Sequence, residues 1–176
     1  MSETALRHKE KAPTRLNFAV IICSTSRYRE LKAGKRVDDH SGDLIIQALH
    51  KSGHATVSRI IVPDDKTVIE QAVRESLNSE LVDAVITSGG TGITPTDVTI
   101  EAVQPLLEKE LHGFGEILRK LSFEEIGSAA ILTRAIAGVA KGKAVFCTPG
   151  SPQAVALAVE KLILPEVGHI VKHARE

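Results

Sequence analysis

The segment Ser88-Gly-Gly-Thr-Gly92 carries the clearest chemical signal in the chain, directly after an apolar, β-prone run. Glycines let a backbone approach a ligand closely, and successive N–H groups can converge on an anion. The hydroxyl groups of Ser88 and Thr91 would add donors, and a helix that begins near Pro95 would add a favourable dipole. A plain strand-to-helix turn needs only one or two glycines, so the pattern favours a phosphate-binding loop.

Two aspartates stand where they could hold a metal ion beside such a loop. Asp64 follows Pro63 at the end of a predicted strand, and Asp97 lies five residues after Gly92. Each also has a simpler structural interpretation, Asp64 as a helix N-cap and Asp97 in a capping box with Pro95 at the first helical position. Because both are expected at the same sheet edge as the glycine loop, they suit a Mg²⁺-dependent phosphoryl or nucleotidyl transfer.

A second glycine turn, Thr148-Pro-Gly-Ser-Pro152, follows a later predicted strand. Ser151 and Pro152 are typical of an N-cap and a first helical residue, so structure alone accounts for these two. The turn is nevertheless expected at the same sheet edge as the first loop. The chain has no G-x-x-x-x-G-K-[ST], which excludes a P-loop enzyme, and no G-x-G-x-x-G after its first strand, which disfavours a dinucleotide site.

Four other polar residues are weaker candidates for the same site. Arg27 could reach a phosphate and Glu116 could face the ligand, although loop side chains of these types are more commonly solvated. Asp38 and Asp39 lie in a polar loop that could order only on substrate binding.

His169 and His173 have the i, i+4 spacing of a helical metal-binding pair. No carboxylate motif accompanies them, and histidines in a last helix commonly complement the helix dipole. The sequence therefore favours the dipole role for this pair.

The composition limits the classes of partner. Lys plus Arg and Asp plus Glu each number 22, so the formal net charge is zero, which argues against nucleic-acid binding. No apolar stretch approaches the ~20 residues that span a bilayer, and residues 1–15 lack the apolar core of a secretory signal. Cys23 and Cys147 each end an apolar run, as buried structural thiols do. These features predict a cytoplasmic protein without membrane association.

The elements that must position these residues alternate between strands and helices. Strands are predicted at Asn17–Cys23, Ala55–Val62, 82–87 and 143–147, with helices at 41–53 and 69–77, from about 95, at 152–162 and from 165. Residues 24–40 are predicted as a polar loop, Ser41 as a helix N-cap, and residues 124–142 as either a hairpin or a helix.

This alternation predicts an α/β fold of three layers, a mostly parallel sheet with helices on both faces. Ligands of such folds bind beyond the carboxyl ends of the strands. A flexible N-terminal tail is expected at residues 1–14, followed by a single domain at residues 15–176.

These elements together resemble the MoaB/MogA family of molybdenum cofactor biosynthesis proteins, the same domain type as the G domain of gephyrin. The resemblance runs from Asn17 to about Val171 and depends on the order and spacing of short motifs. They are Ser24-Thr-Ser-Arg27, Ser41-Gly42, Pro63-Asp64, residues 88–92, Thr96-Asp97-Val-Thr99, Gly113-Phe-Gly-Glu116, Leu132-Thr-Arg-Ala135 and Pro149-Gly-Ser-Pro152. Residues 121–127 and 135–140 are more similar to the MoaB branch than to the MogA branch.

The resemblance implies a molybdopterin-binding fold and a reaction. Active members transfer AMP from ATP to the terminal phosphate of molybdopterin, with Mg²⁺ and with release of pyrophosphate. The two aspartates that the family requires correspond to Asp64 and Asp97, which would hold Mg²⁺ through the ATP phosphates. Some MoaB-branch proteins carry Glu at the first position and are regarded as inactive, so Asp at both positions favours an active enzyme of molybdenum or tungsten cofactor biosynthesis.

The residues assigned to substrate binding come from these loops and motifs. They are Thr25, Arg27, Ser88, Gly89, Gly90, Thr91, Gly92, Glu116, Thr133, Arg134, Pro149, Gly150 and Ser151. The family usually has Ser where this chain has Thr133, which keeps the hydroxyl group and adds a methyl group. The resemblance also implies a homotrimer or homohexamer, with handover of the product to a metal-insertion protein.

Three alternatives keep the fold and change the function. The first is a pterin-binding module that stores or transfers the cofactor precursor without catalysis. The second is a hydrolase of nucleotide pyrophosphates, the activity of a related domain in the competence-damage-inducible family, which the lack of an appended second domain disfavours. The third is an oligomerising scaffold of the gephyrin kind.

Overall fold

The computed structural model describes residues 12–176, so most of the predicted tail lies outside the described part. A six-stranded sheet has the order β2-β1-β3-β6-β5-β4. The strands are β1 (Asn17–Cys23), β2 (Ala55–Val62), β3 (Ala84–Ser88), β4 (Lys109–Glu110), β5 (Ile136–Ala140) and β6 (Lys143–Thr148). β2, β1, β3 and β6 pair in parallel, whereas β5 is antiparallel to both β6 and β4. The sheet is therefore mostly parallel, as predicted.

Seven α-helices connect and cover these strands within residues 12–176. They are α1 (Thr25–Lys32), α2 (His40–Lys51), α3 (Lys66–Asn78), α4 (Thr99–Val103), α5 (His112–Ile126), α6 (Pro152–Ala158) and α7 (Leu164–Ala174). Short 3₁₀ segments lie at Gln104–Leu106 and Gly127–Leu132. None of the described helices combines the length and apolar character needed to cross a bilayer.

The two faces of the sheet are covered by different helices. Phe18, Val20 and Ile22 of β1 pack into one apolar cluster with side chains of α2, α5, α6 and α7. Ala19 and Ile21 point to the other face, where the cluster contains side chains of α3 and α4. Because successive strand residues alternate faces, a fully apolar β1 serves both clusters, which confirms the three-layer α/β prediction.

The strand register brings four strand ends to one edge of the sheet. Cys23 of β1 is level with Val62 of β2, and Ile22 is level with Ser88 of β3. Ser88 is in turn level with Thr148 of β6. The loops that follow these strands therefore emerge side by side. β2 pairs with one side of β1, and β3 pairs with the other side. The order in which strands are added to the sheet therefore changes direction at β1, and open parallel sheets bind ligands beside such a point.

Residues 24–40 are not simply a polar loop, because they contain α1. Ser24 caps this helix, and its side chain accepts a hydrogen bond from the Arg27 amide. The next helix, α2, is capped by Asp39, whose side chain accepts a hydrogen bond from the Gly42 amide at 3.1 Å. The prediction of Ser41 as the N-cap is therefore wrong. Asp39 is buried, so it belongs to the folded framework and not to a loop that waits for substrate.

Three other boundaries differ from the prediction. The helix expected near Pro95 begins at Thr99, after a turn. Residues 124–142 contain the end of α5, a 3₁₀ segment and β5, so both predicted alternatives hold for parts of the segment. The helix after β6 continues into α7 through a π-helical turn at Val159–Ile163. The π turn precedes Pro165, whose missing N–H would break a regular α-helical hydrogen bond.

Candidate active site

An open cleft of about 560 Å³ lies at the carboxyl ends of β3 and β6. The two glycine turns form one side, and residues from α5, the segment after it and α6 form the other. The lining residues are Gly89, Gly90, Thr91, Gly92, Asp97, Ser122, Glu125, Ile126, Leu132, Thr133, Arg134, Pro149, Gly150, Ser151, Gln153, Ala154 and Leu157. The structure therefore brings together most of the residues that the sequence assigns to substrate binding.

The first glycine turn is held from behind by Thr99. Its amide donates to the Gly90 carbonyl at 2.9 Å, and its hydroxyl group donates to the Gly89 carbonyl at 2.8 Å. Gly90 has a φ of 62°, a left-handed conformation that favours glycine. A Cβ atom there would overlap the Thr99 hydroxyl oxygen and lie 2.9 Å from Asp64 Oδ1. Position 90 therefore requires glycine for both its conformation and its space.

The second glycine turn packs directly on the first. The Ser88 hydroxyl group donates to the Pro149 carbonyl at 3.2 Å, and the Ser41 hydroxyl group donates to the Gly150 carbonyl at 2.8 Å. Ser88 and Ser41 are each only 1% exposed, so both lie beneath the cleft surface. Ser151 caps α6 by accepting from the Ala154 amide at 3.3 Å, as predicted. Ser88 therefore braces the two turns and is not itself a lining residue of the cleft.

Asp64 is not the cap of α3. That position belongs to Asp65, whose Oδ1 accepts from the Val68 amide at 3.0 Å. Asp64 Oδ2 instead accepts from both the amide and the hydroxyl group of Thr25, each at 2.8 Å. The Thr25 oxygen in turn accepts from the Asp64 amide at 2.9 Å. This reciprocal pairing fixes the carboxylate with Oδ1 close to Gly90.

Asp97 also has no helix-capping role, because α4 begins later with Val98 at the N-cap and no side-chain cap bond. Asp97 Oδ2 accepts from the Thr94 hydroxyl group at 2.6 Å and from the Thr94 amide at 2.9 Å. A Cβ atom on Gly92 would lie 2.7 Å from the same oxygen. The Thr94 hydroxyl group lowers the pKa of Asp97 below its usual value, against a smaller opposing effect of burial, and Arg134 contributes in the same direction as Thr94.

Arg134 supports the outer end of the first glycine turn. Its Nη1 donates to the Gly92 carbonyl at 2.8 Å, and Nη2 forms a close ion pair with Glu101 of α4. Burial acts to raise the pKa of Glu101, but the hydrogen bond and charge of Arg134 outweigh it and the net shift is downward. Thr133 also lines the cleft. The guanidinium group thus lies at the predicted site and is already engaged with the protein.

Of the residues that the sequence assigns to substrate binding, Thr25, Arg27, Ser88 and Glu116 do not line the cleft, and neither does Asp64. Arg27 Nε donates to the Asp38 carbonyl at 3.1 Å, and Nη1 lies 4.0 Å from Asp39 Oδ1. Glu116 is exposed in the second turn of α5. Their assignment to substrate binding stays a prediction from the resemblance.

The donor set at this edge suits Mg²⁺. Within residues 12–176, no group of three or more His, Cys, Asp or Glu side chains is arranged to hold a metal ion. Asp64 and Asp97 instead reach the same turn near Gly90 and Gly92. Mg²⁺ is commonly held in proteins by one or two carboxylates, with substrate phosphates and water completing its shell. Two carboxylates beside the first glycine turn match that requirement.

Several contributors to the site were not evident from the sequence. Glu101 forms the ion pair with Arg134 although the two are far apart in the chain. Thr99 and Ser41 belong to the quoted motifs, but their anchoring of turn carbonyls appears only in the fold. The exposed apolar side chains of Ile126 and Leu132 form part of the cleft wall. No local pattern marks such a wall.

Comparisons with known proteins agree with this geometry. The family described as "Probable molybdopterin binding domain" matches residues 19–169. "Molybdenum cofactor biosynthesis protein B" of Bacillus cereus is 49% identical over 164 residues, which cover 93% of each chain. "Molybdopterin adenylyltransferase" of Pyrococcus furiosus is 46% identical over 173 residues, which cover 96% of this chain and 97% of the relative.

A solved structure extends the likeness to three dimensions. The crystal structure of "tungsten cofactor synthesizing protein MoaB from Pyrococcus furiosus" matches with a TM-score of 0.82 at 46% identity, and the match covers 94% of this chain and 100% of that one. Family match, sequence identity and fold point the same way, which confirms the resemblance inferred from the motifs. The chain therefore belongs to the probable molybdopterin-binding domain family that includes MoaB and MogA.

Proposed function

We propose that this chain is a molybdopterin adenylyltransferase, which transfers AMP from ATP to the terminal phosphate of molybdopterin and releases pyrophosphate. The observation that carries the proposal is the approach of two carboxylates, Asp64 and Asp97, to one glycine turn at Gly90 and Gly92. The adenylyltransferase name of the Pyrococcus furiosus relative supports it. The cleft has two glycine turns, enough to accommodate phosphates from two substrates.

The reaction asks for positioning and charge neutralisation more than for proton transfer. The attacking oxygen belongs to a phosphate that is already anionic, so it needs no strong general base. It forms a bond to the α-phosphorus of ATP as the bond to the pyrophosphate oxygen breaks. The two reactants must therefore be aligned, and their negative charges must be offset.

The first glycine turn supplies amide donors for this purpose. The Gly89 amide donates to the Thr148 carbonyl at 3.1 Å, and the nearby Gly92 amide helps to lower the pKa of Asp97. We expect the amides of Gly90 and Thr91 to donate to a substrate phosphate. Arg134 would add positive charge at the Gly92 end and keep the turn in place.

Asp64 and Asp97 would hold Mg²⁺ against the ATP phosphates. Bound there, Mg²⁺ supplies neutralisation of the charge that gathers on the transferred and leaving phosphates. Thr25 and Thr94 orient the two carboxylates through amide and hydroxyl donors on one oxygen each. The threonines donate to Oδ2 of each aspartate, and neither donates to Oδ1.

The same proposal includes assembly and compartment. Phe123 and Ile131 are exposed apolar side chains at the end of α5 and in the 3₁₀ segment after it, outside the lining of the cleft, and Ile131 is 83% exposed. Exposed apolar side chains suit contact between copies, so we expect a homotrimer or homohexamer. We also expect, from the family resemblance, that the protein works in the cytoplasm and passes its product to a metal-insertion protein. Analytical ultracentrifugation of the native chain and of Ile131→Asp tests the assembly. A native monomer would contradict it.

Pyrophosphate release from Mg-ATP, measured with and without molybdopterin, tests the reaction. We expect pterin-dependent release that falls at least ~100-fold in Asp64→Asn and in Asp97→Asn. Asp65→Asn is the matched control, because this neighbouring carboxylate caps a helix and an Asn preserves the cap. Its activity should equal that of the native chain.

Two outcomes would overturn the proposal in favour of its alternatives. No release by a folded native chain that still binds the pterin would leave a binding or carrier module. Hydrolysis of nucleotide pyrophosphates in the absence of the pterin would instead indicate a hydrolase of the same fold.

A further inference from the structure

His169 and His173 lie one turn apart on α7 and direct the same ring atom at each other. Their Nε2 atoms are 2.9 Å apart, and their ring centroids are 4.6 Å apart. The pair lines a second cavity of about 410 Å³ together with Glu108, Lys109 and Glu176. The described residues around this cavity are all different from those around the cleft. The histidine pair is therefore separate from the adenylyl-transfer site.

The second nitrogen of each ring faces a carboxylate. His173 Nδ1 lies 2.8 Å from Glu176 Oε2, and His169 Nδ1 lies 3.4 Å from Glu166 Oε2. Carboxylates accept hydrogen bonds, so each Nδ1 carries the proton in this arrangement. In neutral rings, both Nε2 atoms then present lone pairs to the space between them. Two facing lone pairs at this distance repel each other, so this arrangement needs a proton or a metal cation between the two Nε2 atoms.

We propose that His169 and His173 bind a divalent transition-metal ion through their Nε2 atoms. A carboxylate on the far side of a metal-bound imidazole is the usual outer partner in protein metal sites, because it fixes the tautomer and makes the ring a better ligand. Imidazole nitrogens suit Zn²⁺, Cu²⁺ and Ni²⁺, whereas Mg²⁺ prefers oxygen. The pair therefore takes a different class of ion from Asp64 and Asp97.

The separation of the two nitrogens narrows the choice of ion. If an ion lay about 2.0–2.1 Å from both Nε2 atoms, the N–ion–N angle would be about 90°. Neighbouring ligands make this angle in square-planar and octahedral sites. A tetrahedral Zn²⁺ site would need the nitrogens further apart. This geometry favours Cu²⁺ or Ni²⁺ over Zn²⁺.

The surroundings allow a cation to enter and be hydrated. The His169 and His173 side chains are 27% and 44% exposed. Among residues 12–176, the two histidines are not joined by a third His, Cys, Asp or Glu in a metal-binding group. Lys172 Nζ lies 3.6 Å from Glu176 Oε1 and offsets part of that carboxylate's charge. We therefore expect an affinity well below that of a closed structural site.

Calorimetric titration of the full, tag-free chain with Ni²⁺, Cu²⁺ and Mg²⁺ tests the site. We expect one Ni²⁺ or Cu²⁺ per chain and no Mg²⁺ at this pair. His169→Gln and His173→Gln should each weaken Ni²⁺ binding at least ~100-fold, and Glu176→Gln about 10-fold. His50→Gln, an exposed histidine in the last turn of α2, is the matched control and should bind as the native chain does.

A spectroscopic measurement keeps the test independent of variant stability. Substoichiometric Cu²⁺ should broaden the ring-proton NMR signals of His169 and His173 before those of the other histidines. Equal broadening of all histidines, or Ni²⁺ binding that survives in both Gln variants, would overturn the proposal. The proposal would also be overturned if the two Nε2 atoms share a proton and neither Ni²⁺ nor Cu²⁺ displaces it.

Discussion

Asp64 lies beside Gly90 and Asp97 beside Gly92 of the first glycine turn, and the two carboxylates are held by different threonines. Thr25 donates its amide and hydroxyl hydrogens to Asp64 Oδ2, and Thr94 does the same for Asp97 Oδ2. Each carboxylate is therefore oriented before any substrate arrives. Under the proposed function, Thr25 and Thr94 are positioning residues that act through the aspartates.

Removal of the Thr94 hydroxyl group should raise the pKa of Asp97 in the folded protein, because that hydroxyl group is the largest cause of its depression. The pKa of Asp97 is lower in the folded chain than in the unfolded chain. Ionised Asp97 therefore stabilises the fold at pH values above its unfolded-state pKa. This contribution is lost as the pH falls through the folded value. Carbon NMR titration of the Asp97 carboxyl group in the native chain and in Thr94→Val measures the shift.

Thr96→Val is the control for this titration. The Thr96 hydroxyl group contacts the Thr94 hydroxyl group at 3.0 Å and not the carboxylate. The pKa of Asp97 should stay depressed in this variant. An unchanged pKa in Thr94→Val would show that the turn, and not the hydroxyl group, sets the acidity.

Gly90→Ala should lose both stability and activity, because the new methyl group would overlap the Thr99 hydroxyl oxygen and crowd Asp64. Gly34 offers a matched control. It has a similar φ of 69° but no heavy atom within 4 Å of its added Cβ position. Gly34→Ala should cost about 1 kcal/mol of unfolding free energy with full activity. Chemical denaturation and pyrophosphate release measure the two effects, and equal losses in both variants would contradict the crowding argument.

At the scale of elements, the start of α3 divides two roles between adjacent aspartates. Asp65 caps the helix through the Val68 amide, whereas the Asp64 side chain turns back to Thr25 after β1. A single aspartate could not meet both requirements, since each needs the side chain to point in a different direction. The doubled aspartate after Pro63 thus supplies one residue for the helix and one for the site.

Asp65→Ala should lower the free energy of unfolding by about 1 kcal/mol, because the Val68 amide loses its capping acceptor. Chemical denaturation measures the loss. Pterin-dependent pyrophosphate release should be nearly unchanged. A large loss of activity in a folded Asp65→Ala protein would mean that Asp65, and not Asp64 alone, serves the site.

At the scale of the whole molecule, the two cysteines report on the integrity of the core. Cys23 and Cys147 are 3% and 0% exposed, and burial raises the pKa of both thiols to about 12. The thiolate is the reactive form, so native alkylation at about pH 8 should be at least ~100-fold slower than in denaturant. Mass spectrometry of iodoacetamide labelling measures both rates. Native labelling at the denatured rate would contradict the burial of these thiols.

The sequence by itself determined the layers of the fold, the two glycine turns and the family. A continuous apolar strand at Asn17–Cys23 can be satisfied only with cover on both faces, and this requirement is local and strong. The glycine turns follow their strands within a few residues, so their position at the sheet edge followed from chain direction alone. Spacing and resemblance likewise predict the paired aspartates, and their role in catalysis stays a prediction.

Only the tertiary structure decided what each side chain does there. Capping is a competition between neighbours: Asp65 replaced Asp64, and Asp39 replaced Ser41, because the partner amides lay within reach of the other residue. The Arg134–Glu101 pair and the convergence of His169 and His173 on one point depend on distances between side chains. Spacing along a chain says which groups can meet, but packing sets their orientation, and orientation determines their chemistry.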